Sequence, residues 1–218
     1  MAGAGRWPER GEAMLRRPLL GLGLGAGLLP LLGARALAAP AAIDFKVMRE
    51  GREVGTHTVR FRDDGDLLRV RTEMRIIVRL AGFTVFRFTQ DTEEAWRAER
   101  LVGLESRADR NGRPGACQAM AEANGLRLRG SSGEALLPAN AAPLTWWRAA
   151  TLQTGVPLFD VREGRPVEPR LERRAEAGGQ RIRVVGGEGA EVVYDAAARW
   201  IGFATTGEDG STVTYARA

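Results

Sequence analysis

Apolar and polar residues alternate one by one along much of the chain. In VRTEMRIIVRL, Val70, Thr72, Met74, Ile76, Val78 and Leu80 fall on one face, and Arg71, Glu73, Arg75 and Arg79 fall on the other. Ile77 is the one apolar residue on the wet side. A period of two predicts a β-strand with one face in a core and one in water. The run exceeds the roughly 5–6 residues of an ordinary strand, which suits a long, twisted antiparallel sheet. Ala81-Gly82 then offers a bend.

Turn pairs recur at hairpin spacing: Glu50-Gly51, Asp64-Gly65, Asn111-Gly112, Asn124-Gly125, Glu163-Gly164 and Asp209-Gly210. Between them lie short β-prone segments such as THTVRF, FTVFRFTQ, LRLRGSS, RIRVVG, AEVVYD and STVTYAR. No helical period of useful length competes. The prediction is a mainly all-β chain: a meander of about ten strands forming a single strongly curved antiparallel sheet or half-open barrel.

LPANAAPLTWWRAATLQTGVPLFDV, residues 137–161, departs from this pattern. Pro138 and Pro143 interrupt any strand, Thr145 suits a helix cap, and TWWRAATLQ carries good helix formers ending near Gly155 and Pro157. This predicts one short helix or helical turn. It must bury Trp146, Trp147 and Leu152 somewhere, and the concave side of the sheet is the available place.

The first residues carry a different message. MLRRPLLGLGLGAGLLPLLGARALAAPAA has the charged start, apolar middle and small-residue exit of an export signal. Residues 1–38 are therefore assigned as a cleaved signal and residues 39–218 as a single β-meander domain. Arg16 and Arg17, followed by a glycine-rich run of moderate hydropathy, favour the twin-arginine route over the general secretory one and imply a periplasmic protein. The apolar run falls short of the roughly 20 residues of a spanning helix, so no stable membrane span is expected after cleavage. Met14 begins a compact signal by itself.

Cleavage also changes the charge. The whole chain carries 32 basic and 27 acidic side chains; residues 1–38 hold five of the arginines and two of the glutamates, leaving a net charge of +2. That is no nucleic-acid footprint. Cys117 is the single cysteine, so no internal disulfide is available and a buried, structural thiol is expected.

Candidate chemistry is sparse. His57, the only histidine, could serve a serine or cysteine nucleophile such as Ser106, Ser131 or Cys117, but no nucleophile motif surrounds any of them. One His and one Cys cannot make a zinc set, and no residue group suggests a cofactor. Asp63-Asp64 reads as turn chemistry; Glu93 and Glu94 are neighbours on a strand and point to opposite faces. Gly186, Gly187 and Gly189 read as a turn without a phosphate-loop lysine. The aromatics fill a core or line a cavity in the curved sheet.

GTHTVRF, TVFRF, EAW, LVGLESRADRNG, TLQTGVPLFDV and YDAAARWIGFATTGEDGSTVTY together resemble the successive blocks of a family of exported proteobacterial proteins known only as a domain of unknown function. The resemblance runs from Ile43 to Tyr215 and implies no activity. Where those relatives tend to carry tyrosine-tryptophan-asparagine, this chain has Trp146, Trp147 and Arg148. More loosely, the design is similar to the helix-plugged half-barrels of lipoprotein carriers, a likeness of fold alone. The leading expectation is a non-enzymatic periplasmic binding or carrier protein for an apolar or amphiphilic small molecule or lipid. Phe83, Phe86, Phe88, Trp96, Trp146, Trp147 and Trp200 would line its site, and Gln153 and Thr154 would supply polar contacts at the mouth. The alternatives are an accessory module binding another envelope protein through a sheet edge or aromatic face, and a hydrolase using His57.

Overall fold

The computed structural model describes residues 42–186 and 189–218. The assignment of residues 1–38 as an export signal lies outside them. The described residues are mainly β. Thirteen strands form one antiparallel sheet that does not close, and three short strands form a second sheet. The expectation of about ten strands is corrected by the edges. β8 (Gly133–Leu137) and β12 (Arg170–Glu176) end the large sheet, and five of the seven β12 residues are exposed. RLERRAE shows no apolar alternation because an edge strand needs only one hydrogen-bonded neighbour and here buries almost no face.

The order of the large sheet explains the odd stretch. β1 (Ile43–Arg49) pairs with β16 (Thr212–Arg217), so the two ends of the domain meet in the middle. From β1 the meander runs outward through β2 (Arg52–Asp64), β3 (Leu67–Leu80), β4 (Phe83–Arg97), β5 (Arg100–Arg110), β6 (Arg113–Glu122) and β7 (Gly125–Gly130) to β8. On the other side β12 leads back through β13 (Gly179–Val185), β14 (Ala190–Asp195) and β15 (Trp200–Thr206) to β16. Residues 138–169 join one free edge, β8, to the other, β12.

This connection packs against the inner face. It contains β9 (Ala142–Pro143), β10 (Leu158–Asp160) and β11 (Arg165–Val167), and its Trp147, Leu152, Leu158 and Phe159 share a core with Phe45, Val59, Trp96 and Val192 of the large sheet. Near β7 the contact is closest: a Cβ added at Gly130 would fall 2.2 Å from the Glu163 carbonyl oxygen, so only glycine fits.

The sheet curls. Arg110, at the end of β5, pairs with Glu208 in the β15–β16 turn at 2.8 Å, although five strand-to-strand steps separate β5 from β16. Laid flat, five steps of ~4.8 Å would hold them more than about 20 Å apart.

The short helix of the expected architecture is corrected to a helical turn. TWWRAATLQ forms a single 3-10 turn, Ala149–Thr151, preceded by extended backbone. Thr145 Oγ1 caps nothing and has no partner. The neighbouring tryptophans are committed to different walls: the Trp146 ring packs on Phe203 of β15, and the Trp147 ring on Phe61 of β2 and Trp96 of β4. The Tyr194 hydroxyl donates to the Trp146 carbonyl at 2.7 Å, which removes an acceptor a helix would need.

Candidate functional site

β3 and β4 supply the long wall of a cavity of about 900 Å³. Their paired rungs run from polar to apolar. Thr72 faces Thr92 and Met74 faces Gln90; further along, Ile76 faces Phe88 and Val78 faces Phe86. The opposite wall comes from Val184 of β13, Trp200 and Phe203 of β15 and Tyr215 of β16, and the crossing segment adds Leu144, Thr145, Trp146 and Trp147. Strand alternation aims every second side chain of β3 and β4 inward, which is why one period-two pattern builds the whole wall.

Trp96 and Trp147 meet over Glu94. The carboxylate of Glu94, 2 % exposed, accepts the indole N–H of Trp96 at 2.7 Å and that of Trp147 at 3.2 Å. Burial pushes its pKa up to about 7, against the two indole hydrogen bonds and the nearby Arg148 charge, which pull it down. Arg148 stacks over the Trp96 ring at 4.5 Å and reaches the Glu99 carboxylate. Glu93, by contrast, is exposed and lies near Arg71, as alternation requires. The sequence shows Glu93 and Glu94 only as neighbours on opposite faces; the further signal for Glu94 was a lone carboxylate on the inward phase of the strand, two residues before Trp96.

His57, unlike Glu94, is part of the cavity lining; it is 4 % exposed, with its ring edge-on to Trp200 and Tyr215. Its Nδ1 is 3.3 Å from the Tyr215 hydroxyl, and burial lowers its pKa to about 3, so the ring is neutral at ordinary pH. The nucleophiles weighed with it have other commitments. Ser106 Oγ bonds Thr92 Oγ1 at 2.8 Å, and Ser131 Oγ accepts the Ala116 N–H. The Cys117 thiol is buried, and burial and Asp160 push its pKa up to about 12.

Two hydroxyls stand out. Thr72 and Thr145 line the cavity, and their Oγ1 atoms are buried and have no hydrogen-bond partner. An unsatisfied buried polar group costs roughly 1–3 kcal/mol, which sets these two apart from the paired hydroxyls of Thr92, Ser106 and Thr151. The lining arginines are paired, Arg49 with Asp209, Arg110 with Glu208, Arg162 with Asp160 and Arg165 with Glu163, while the exposed Glu168 lines the cavity without an ion pair among the described residues. Burial raises the Asp160 carboxyl, but the Arg162 guanidinium and the backbone N–H groups of Arg162 and Glu163 outweigh it and hold the pKa below the usual range.

Of the residues expected at a binding site, Phe86, Phe88, Trp146, Trp147 and Trp200 line this cavity together. Trp96 lies behind Trp147 and, with Gln153, borders a second cavity of about 220 Å³. Phe83 and Thr154 are exposed and line neither. Among the described residues no cluster of three metal-ligating side chains occurs, and no helix is long and apolar enough to cross a membrane.

A family profile matches residues 45–218, all but the first strand residues of the described domain. The chain belongs to the DUF6134 family, a domain of unknown function. Comparison with curated proteins and with solved structures gave no match. In this DUF6134 chain, therefore, function has to be read from the cavity itself.

Proposed function

We propose that this DUF6134 protein is a non-enzymatic binding or carrier protein that holds one amphiphilic molecule in the cavity between β3–β4 and β13–β16. The observation that carries the reading is the pair of partnerless hydroxyls, Thr72 and Thr145, in a cavity whose long wall continues into the apolar Ile76, Val78, Phe86 and Phe88. A volume of about 900 Å³ lies within the range of sites for small-molecule ligands. The ligand's buried polar group is uncharged: His57 is neutral there, Glu94 is already occupied by two indoles, and the lining arginines Arg49, Arg110, Arg162 and Arg165 are paired. A hydroxyl, ester or amide would meet the threonines, with an acyl or isoprenoid chain along Ile76, Val78, Phe86 and Phe88. The export pattern of residues 1–38 supports a periplasmic role, with the twin-arginine route favoured.

Calorimetric titration with a monoacylglycerol below its micelle concentration tests this. Saturable one-to-one binding with a negative heat-capacity change is expected. Absence of binding for monoacylglycerols and for fatty amides alike would overturn the neutral-amphiphile assignment.

A further inference from the structure

The β3–β4 hairpin outreaches its neighbours. Pairing of β2 with β3 stops at Gly55 and Ile76, and pairing of β4 with β5 begins only at Phe88 and Arg110. Residues 77–87 thus form a two-stranded ribbon, turned by Ala81 and Gly82 at positive φ, that projects roughly 15 Å at ~3.3 Å per residue. Its base is held where Asn111 N–H donates to the Arg87 carbonyl and Asn111 Oδ1 accepts the Arg87 N–H.

The ribbon is apolar where it is most exposed. Phe83 is 75 % exposed, Leu80 53 %, Val85 50 % and Ile77 40 %; four of the seven exposed large hydrophobics of the described residues sit in this one hairpin. Scattered single apolar residues need no explanation, but a cluster on a projecting tip does. Arg79 and Arg87 flank it, both exposed and neither joined to a carboxylate by an ion pair among the described residues. From Met74 to Gln90 the sequence has three arginines and no acid. Acids on the neighbouring turns are engaged: Glu208 by Arg110, Asp209 by Arg49, and Glu50 by the Thr212 N–H.

Leu80, Val85 and Phe86 also line the cavity, so the apolar tip and the cavity mouth are continuous. We infer that the β3–β4 hairpin docks this protein onto an anionic phospholipid surface, with Ile77, Leu80, Phe83 and Val85 entering the acyl boundary and Arg79 and Arg87 meeting the headgroups. The inference extends the carrier reading: the cavity opens where the protein meets the membrane, and an amphiphile would pass along Leu80 and Phe86 without crossing open water.

The test is flotation of the full chain with vesicles of phosphatidylcholine, with and without phosphatidylglycerol. Every variant keeps residues 1–41, so differences between variants read the hairpin. Wild type is expected to float with the anionic vesicles. The double variant Ile77→Ser, Phe83→Ser, at two exposed positions outside the cavity lining, is expected to lose vesicle affinity by about tenfold or more, from the apolar area withdrawn. Arg79→Gln with Arg87→Gln is expected to lose the preference for anionic over neutral vesicles, about fivefold per arginine. All four side chains are exposed, so thermal midpoints should stay unchanged. Equal flotation of wild type and both variants, or none by wild type, overturns the proposal. Ligand retention measured on the same variants separates the two claims: a cavity ligand kept by a protein that never floats leaves the carrier reading intact and removes the docking site.

Discussion

β4 is sealed at one end and bare at the other. Trp96, 1 % exposed, is covered by Trp147 and Arg148 and gives its N–H to Glu94, whereas Phe83 on the same strand is 75 % exposed with nothing over it. Both residues are large and aromatic, and both sit in a regular ladder with β3. What differs is the layer above. The segment between β8 and β12 crosses over Trp96 and never reaches Phe83. The sheet alone therefore does not decide which aromatic is core; the crossing segment does, and it leaves a cavity with one closed and one open end.

Exchanging the two aromatics for small residues should show the largest contrast. Trp96→Ala is expected to cost ~3–5 kcal/mol in urea denaturation, while Phe83→Ser should change stability by less than about 0.5 kcal/mol. Equal costs at both positions would break the comparison.

Titration sharpens it next, because the groups in and behind the cavity pull in opposite directions. Folding raises Glu94 from its ordinary 4.5 to about 7, so its contribution to stability is full below pH 4.5 and is lost as pH rises to about 7. Folding lowers His57 from 6.5 to about 3, so its contribution is full above pH 6.5 and is lost as pH falls to about 3. Between pH 4.5 and 6.5 the two slopes cancel. His57→Phe should uncover a fall of ~3 kcal/mol between pH 4.5 and about 7, and Glu94→Gln should uncover the opposite rise from acid toward pH 6.5, both by chemical denaturation. A flat profile in both variants would mean that neither group is as enclosed as described.

The smallest effect belongs to the hydroxyls. Thr72→Val removes a group with no partner, so ligand-free stability should hold or rise by up to ~1 kcal/mol, while affinity for a monoacylglycerol should fall several-fold. Loss of stability with unchanged affinity would show that the hydroxyl serves the fold.

Much of this architecture was legible from alternation. The inward face of β3 and the opposed directions of Glu93 and Glu94 follow from a period of two, and Asn111-Gly112 turns at positive φ as its residue types demand. Two features were not legible, for different reasons. β12 is an edge strand without a buried face, so RLERRAE carries no pattern to read. Trp146 and Trp147 suggest a helix by composition, but tertiary contacts at opposite walls and the Tyr194 hydroxyl hold that backbone out of a helix. At the site, Phe86, Phe88, Trp146, Trp147 and Trp200 line the cavity, but residue type could not separate them from Phe83 or Trp96, because the crossing segment's path is not written in either strand. The orphan hydroxyls were likewise invisible, since a threonine's partner depends on the whole fold.

The central claim is that the half-sealed cavity holds a neutral amphiphile. Native mass spectrometry of the protein, purified without detergent from the cells that make it, addresses this most directly by comparing its intact mass with that after denaturation. The account predicts added mass that leaves on denaturation, belongs to an uncharged amphiphile, and is reduced in Thr72→Val. A clean polypeptide mass, or a released ligand that is ionic throughout, would contradict it.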